Sequence, residues 1–145
     1  MKNLTAGILA GLIATAVLSV LMMLKGMMGM MPDLNVIAMI AGMMGVGAMV
    51  GWVVHFVIGA VYGAIFAQVL DTPETGTAAL RGIALGVIAW LVMMIVIMPM
   101  TGNGLFGMAM PSGMMIPVAT LVLHIIFGAV LGLSYVAVRN KGAGA

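Results

Sequence analysis

Four long apolar runs divide this sequence, and each has the roughly 20 residues that a helix needs to cross the hydrocarbon core of a bilayer. They cover residues 4–24, 50–70, 80–98 and 116–138. Of the 145 residues, 65% are hydrophobic and only 6% are charged, which is more apolar surface than one soluble core can bury. The sequence therefore predicts an all-α integral membrane protein, a single domain over residues 1–145 with four transmembrane helices.

The basic residues predict the orientation of these helices. Lys2, Arg81, Arg139 and Lys141 fall on one side of the predicted membrane, whereas only Lys25 falls on the other. Because basic residues are enriched on the cytoplasmic side, we expect both termini to be cytoplasmic. The first apolar run resembles a secretory signal, but it continues unbroken to residue 24, so we expect a retained helix.

The two outer connections, residues 25–49 and 99–115, are nearly as apolar as the helices. Asp33, which follows a proline, is predicted to cap a short helix over residues 34–44 that lies in the membrane interface or folds back over the bundle. The segment 101–113 is rich in glycine and proline, which favours an irregular re-entrant loop whose backbone is buried in protein. Trp52 and Tyr135 are expected in interfacial aromatic belts, and Trp90 and Tyr62 between helices.

A nine-residue phrase, His-x-x-x-Gly-Ala-Val-x-Gly, occurs twice, at residues 55–63 and 124–132. It indicates a duplicated two-helix hairpin, with one repeat over about residues 4–70 and the other over about 80–138, related by a pseudo-two-fold axis along the membrane normal. In the first helix of each repeat we align Gly7 and Gly11 with Gly82 and Gly86, so that Trp90 takes the place of a threonine.

The only two histidines in the chain, His55 and His124, open these phrases and lie inside apolar runs, where an ionisable side chain is costly. One interpretation is structural: Gly59 and Gly128, one turn further along, allow close helix packing while each imidazole bonds a nearby hydroxyl or carbonyl. The other interpretation is that the two imidazoles are the axial ligands of one b-type haem, with these glycines making room for the porphyrin.

Apart from Met1, all of the 19 methionines lie at the outer helix ends or in the outer connections. Three pairs have a spacing that can suit Cu(I), which prefers soft thioether ligands. Methionine is equally a flexible filler for irregular apolar contacts, so packing is the alternative interpretation. The candidate copper ligands are Met28 and Met30, Met98 and Met100, and Met108 and Met110.

Several functional classes find no support in the sequence. It contains no hydrolase, phosphate-loop or zinc-protease motif, and it has no cysteine. No Asp or Glu lies within a predicted span, and Arg81 lies only at the cytoplasmic end of one, which weighs against an ion-coupled transporter. The few basic residues are topology signals rather than a nucleic-acid footprint. We therefore expect neither an enzyme nor a nucleic-acid-binding protein.

The segment KGMMGMMPDLNVIAMIAGMMG (25–45), with GWVVHFVIG and LVLHIIFGAVLG, resembles a family of small four-helix bacterial membrane proteins classed as a domain of unknown function. The resemblance covers nearly the whole chain. It implies a bacterial inner-membrane location and the duplicated hairpin, but it implies no activity and no catalytic residue.

These observations together predict a non-catalytic accessory or assembly-supporting subunit of a larger inner-membrane complex, such as a respiratory one. Its expected partners are membrane lipid and either other integral membrane proteins or further copies of the chain. The alternatives are an electron carrier that holds haem b between His55 and His124, and a methionine-rich copper-handling protein.

Overall fold

The structure is a computed structural model that describes residues 2–143, and every regular element in this part of the chain is helical. The helices are α1 (Lys2–Met27), α2 (Val36–Met44), α3 (Ala48–Val69), α4 (Thr75–Val92), α5 (Met98–Met100) and α6 (Met115–Ala143), with a π-helical turn at Met93–Ile97 and a 3-10 turn at Leu105–Gly107. Four are long and apolar enough to span a membrane: α1, α3, α6, and α4 continued to Met100. The predicted four-helix membrane protein is confirmed.

The long helices form a bundle with α1 and α6 at its centre. Helix α1 packs against α3 and α6, and α6 also packs against α4, whereas α3 and α4 scarcely touch each other. The central contact pairs small residues of α1, such as Ala10 and Ala14, with the larger Phe127, Leu131 and Tyr135 of α6. Small residues opposite large ones let the two helices interdigitate without voids.

Within each hairpin, glycines bring the helix backbones into direct contact. A Cβ atom added to Gly11 would overlap the carbonyl oxygen of Gly59, and one added to Gly82 would overlap that of Gly128. Small residues are favoured at membrane helix contacts because close packing there replaces the hydrophobic driving force that lipid does not provide. The predicted role of Gly59 and Gly128 in helix packing is therefore confirmed.

These contacts correct the predicted alignment of the two repeats by one helical turn. Gly7 lies against Gly63, whereas the equivalent glycine of the second repeat, Gly132, lies against Ala78. The residue equivalent to Gly7 is therefore Ala78, and Gly82 rather than Gly86 corresponds to Gly11. Matching glycine to glycine was misleading because alanine is small enough to take one position of the contact. The pseudo-two-fold axis itself stays a prediction.

The short helix α2 exists as predicted, but its cap is different. Asn35, not Asp33, is the N-cap, and its side-chain oxygen accepts a hydrogen bond from the Ala38 amide at 3.0 Å. The helix folds back over the bundle, where its residues Ile37 and Ala41 contact Gly51 of α3.

Asp33 instead joins the two connections at this end of the molecule. Its carboxylate accepts hydrogen bonds from the backbone amide and the hydroxyl of Ser112. Lys25 holds the first connection against the end of α1, since its Nζ donates to the carbonyl oxygens of Met31 at 3.0 Å and Leu34 at 2.7 Å. The end formed by residues 28–47 and 101–114 is called the methionine-rich end below.

The loop 101–114 folds against the ends of the long helices rather than extending into solvent. Its Phe106 ring packs on Trp90, with 5.8 Å between ring centroids, and its Gly107 lies against Ile116 and Met98. Met31, Leu34, Met94, Met98 and Ile116 are buried together in an apolar cluster there. The packing role predicted for methionine fits this cluster.

At the opposite end, which we call the basic end, Asp71 joins several elements. Its carboxylate accepts hydrogen bonds from Asn3 Nδ2 at 3.0 Å and the Tyr135 hydroxyl at 2.7 Å, and forms an ion pair with Arg139. Arg81 donates to its backbone oxygen at 2.8 Å. The start of α1, the turn before α4 and the end of α6 therefore lie on the same side of the bundle.

Tyr135 is a correction to the predicted aromatic belt. It is fully buried, and its ring packs edge-on against Phe66, with centroids 5.1 Å apart. The hydroxyl reaches Asp71 from inside the bundle, so the residue gains a hydrogen bond without lying at a lipid interface.

Candidate functional site

A cavity of about 800 Å³ lies between α1, α3, α4 and α6 and is covered by α2. Its walls are largely apolar, and it is of the size that accommodates a small organic ligand. Both histidines line it. Its other lining residues include Trp52, Ile58, Gly59, Tyr62, Val92, Met93, Thr120 and Phe127.

The cavity forms where the flanking helices separate. Helices α3 and α4 scarcely contact each other, so the space between them is left for the cavity. At its edge, α4 widens into the π-helical turn Met93–Ile97, which precedes Pro99. Proline lacks an amide hydrogen and disrupts the α-helical ladder behind it, and π turns of this kind often occur at functional sites. Met93 and Ile97 of this turn line the cavity.

His55 lies about two turns inside α3, on the face that also carries Gly51, Gly59 and Gly63. It is 8% exposed, and its Nε2 is buried without a hydrogen-bond partner among the described residues. The side chain therefore points into the bundle rather than toward lipid. An unpaired polar atom in apolar surroundings is costly, so Nε2 is the most conspicuous unsatisfied group of the site.

His124 lies at a similar distance inside α6 and is half-buried. Its Nδ1 lies 2.8 Å from the carbonyl oxygen of Thr120, one turn earlier on the same helix. A carbonyl can only accept a hydrogen bond, so Nδ1 carries the hydrogen, and in the neutral imidazole Nε2 is then an acceptor. The structural interpretation, in which each imidazole has a protein partner, therefore holds for His124, whereas His55 Nε2 lacks one.

The two glycines of the haem interpretation lie in different surroundings. Gly59 lines the cavity but also contacts the side chain of Thr15, while Gly128 lies against the backbone of Gly82 and Ile83. The space beside Gly128 is occupied by α4. This glycine serves helix packing, and room for a porphyrin at its position is not available.

The six candidate copper ligands differ in exposure. Met28, Met30, Met100 and Met108 are exposed, whereas Met98 is buried and Met110 packs beside it in the apolar cluster. Residues two apart on a helix point in different directions, which is why Met98 and Met100 diverge. A different set of methionines, which includes Met22, Met39, Met43 and Met93, lines the cavity.

Three aromatic residues complete the cavity wall, and only one of them was expected between helices. Trp52, predicted in an interfacial belt, lies edge-on to His55 with ring centroids 6.0 Å apart. Tyr62 packs edge-on against Phe127 at 6.2 Å, which confirms its interhelical position. The spacing of Trp52 and His55, three residues apart on one helix, was the signal that could have placed Trp52 beside the histidine.

The fold and the cavity define a helical membrane protein with a histidine-lined apolar cavity among its helices. Residues 1–143 match the model of a family described as "Family of unknown function (DUF6789)", and the chain belongs to that family. The predicted membership of a family of unknown function is thus confirmed. No curated protein and no solved structure matches the chain.

Proposed function

We propose that this protein binds a lipophilic small molecule in its histidine-lined cavity. The observation that carries the proposal is a largely apolar cavity of about 800 Å³ with two histidines on its wall, of which His55 buries its Nε2 without a hydrogen-bond partner among the described residues. An apolar wall with a few placed polar groups is the usual composition of a ligand site.

The energetic argument rests on the cost of the histidine. Burial of an imidazole nitrogen without a hydrogen bond costs on the order of 1–3 kcal/mol, which a hydrogen bond to a ligand would recover. The methionines and aromatic rings of the wall supply adaptable apolar contacts for the rest of the molecule. Ligand binding thus accounts for the polar and the apolar parts of the site together.

Haem b is a second candidate, supported by one specific observation. His124 donates from Nδ1 to a backbone carbonyl, the arrangement that orients a metal-ligating imidazole and leaves Nε2 free for the metal. His55, which lines the same cavity, would supply the other axial ligand. Absorption spectra of the purified protein before and after addition of haem test this, because bis-histidine ligation gives a low-spin spectrum that either histidine-to-alanine substitution should convert to a different form.

The cellular role remains a proposal built on the sequence. We place the protein in a bacterial inner membrane with both termini cytoplasmic, as a non-catalytic accessory or assembly-supporting subunit of a larger complex. The position of the cavity within the membrane-spanning part favours a ligand delivered through lipid, and such a ligand is compatible with this role. Lipid and other membrane proteins, or further copies of the chain, are the proposed partners.

The cavity can be tested by filling it. Ala89 is buried and lines the cavity, whereas Ala84 on the same helix is exposed on the outer surface of the bundle. Mass spectrometry of protein purified in mild detergent should detect a retained lipophilic compound in the wild type and in Ala84→Leu, and much less in Ala89→Leu. If all three proteins retain the same compounds in the same amounts, the cavity is not the binding site.

A further inference from the structure

We infer that the ligand of this cavity has an aromatic head group that donates a hydrogen bond, a phenol or hydroquinone with an apolar tail, and that the cavity discriminates against the corresponding quinone. This inference rests on the proposed ligand-binding function and deepens it by naming the ligand class.

The first step is the fixed tautomer of His124. Because Nδ1–H is committed to the Thr120 carbonyl, the cavity receives from this residue an acceptor at Nε2 and no donor. A ligand hydroxyl can donate to that nitrogen, whereas a quinone carbonyl would place two acceptors against each other. His124 therefore selects a ligand that carries a hydroxyl.

The second step is the freedom of His55. No hydrogen bond within the described residues commits its Nε2, so this nitrogen can donate or accept according to its tautomer. It can bond either a hydroxyl or a carbonyl oxygen, and it imposes no preference between the reduced and the oxidised form of a head group. Of the two histidines, only His124 then distinguishes a hydroxyl from a carbonyl oxygen.

The third step is the shape of the wall around the histidines. Trp52, Tyr62 and Phe127 line the same cavity, and aromatic rings pack favourably against a ring edge or face. An aliphatic alcohol has no ring and could not make these contacts with the aromatic side chains. The head group that matches both the hydrogen-bond acceptor and the aromatic wall is a hydroxylated ring.

The last step is the path for an apolar tail. The side of the cavity between α3 and α4 is not closed by helix packing, and Ile58 and Val92, which line the cavity from these two helices, keep 40% and 44% of their surface exposed. In a membrane that side faces lipid tails. A ligand with a hydrocarbon tail can keep its head beside the histidines and extend the tail into the bilayer.

The test is a competition among three matched probes: a decyl-substituted benzohydroquinone, the corresponding quinone, and the hydroquinone dimethyl ether, which has no donor. Wild-type protein in detergent is incubated anaerobically with equal amounts, and the retained compounds are quantified by mass spectrometry, with Ala89→Leu as the background for micelle partitioning. We expect the hydroquinone to be retained roughly three- to tenfold over the quinone and the ether, the value of one neutral hydrogen bond.

Two substitutions at His124 assign the preference to its acceptor nitrogen. His124→Leu removes the acceptor and should bring the hydroquinone down to the level of the quinone. His124→Gln offers an amide that both accepts and donates, so it should retain the hydroquinone and raise the quinone to match it. Val122→Leu, at an exposed position of the same helix, is the control and should keep the wild-type preference.

The outcomes separate this inference from the proposed function. Equal retention of all three probes by the wild type, with loss in Ala89→Leu, would leave the cavity a ligand site and overturn the choice of head group. A hydroquinone preference that survives in His124→Leu would also overturn it. Retention of none of the probes above the Ala89→Leu background, in a protein that carries no other lipophilic compound, would contradict the proposed function itself.

Discussion

Asp71 is a single residue on which three separate parts of the chain depend. Its side chain is one-third exposed, yet it accepts hydrogen bonds from the first turn of α1 and from the last turns of α6. An exposed ion pair alone contributes little, but here Tyr135 adds a hydrogen bond from the bundle interior.

We predict that Asp71→Asn destabilises the bundle by about 1–2 kcal/mol, because the amide keeps an acceptor but loses the charge that Arg139 pairs with. Thermal unfolding in detergent measures the change. Glu74→Gln in the same turn is the matched control, since the one side-chain hydrogen bond that Glu74 accepts from the described residues comes from the nearby Thr77. Equal unfolding temperatures for the two variants would show that the contacts of Asp71 with α1 and α6 do not stabilise the bundle.

At the scale of elements, each hairpin depends on glycine contacts. We predict that Gly59→Ala and Gly128→Ala each cost about 1–3 kcal/mol, since the added methyl group meets Thr15 in one case and the α4 backbone in the other. Gly42→Ala in α2, where an added Cβ meets nothing, should be neutral or slightly stabilising. If Gly59→Ala and Gly128→Ala unfold in detergent at the same temperature as Gly42→Ala, the helix backbones are not in direct contact at these glycines.

The link between Asp33 and Ser112 predicts a pH dependence for α2. Hydrogen bonds from Ser112 lower the pKa of Asp33 below its ordinary value of 3.8. A carboxyl with a lowered pKa stabilises the folded arrangement above that ordinary value, and the contribution is lost as the pH falls through the folded pKa. The hydrogen bonds between Ser112 and the Asp33 carboxylate should therefore persist at neutral pH and weaken below about pH 4.

Hydrogen exchange of the α2 amides, corrected for the intrinsic pH dependence, measures this effect. We expect faster exchange at pH 3 than at pH 6 in the wild type. In Ser112→Ala, exchange should already be fast at pH 6 and should change less on acidification. A wild-type protein in which α2 is equally protected at both pH values would show that other contacts hold this helix.

For the whole molecule, the arrangement of the four long helices places both chain ends on the basic side. Four of the five basic residues belong to that end, and Lys25 alone lies near the other. Because the inner face of a membrane retains positive charge, we predict that the basic end is cytoplasmic. Reporter fusions after Leu70 and after Met49 should report the cytoplasmic and the external side, respectively. The opposite pattern would invert the topology, and with it the side from which the cavity is covered.

The sequence by itself was sufficient for the number of spans, their limits to within a few residues, and the helix-packing role of the repeated glycines. These follow from hydrophobic length and from the periodicity of a helix, which are local properties. The short helix before α3 was also predictable, although Asn35 rather than Asp33 caps it, because both residues can cap and only the observed backbone distinguishes them.

Only the tertiary structure decided where the cavity lies and which residues share it. The two histidine phrases are nearly identical, yet His124 has a backbone partner and His55 Nε2 has none, since that depends on the rotamers and neighbours in each helix. Tyr135 turned inward for the same reason. The gap between α3 and α4 results from packing among helices far apart in the sequence. A local sequence pattern cannot indicate which helices fail to contact each other.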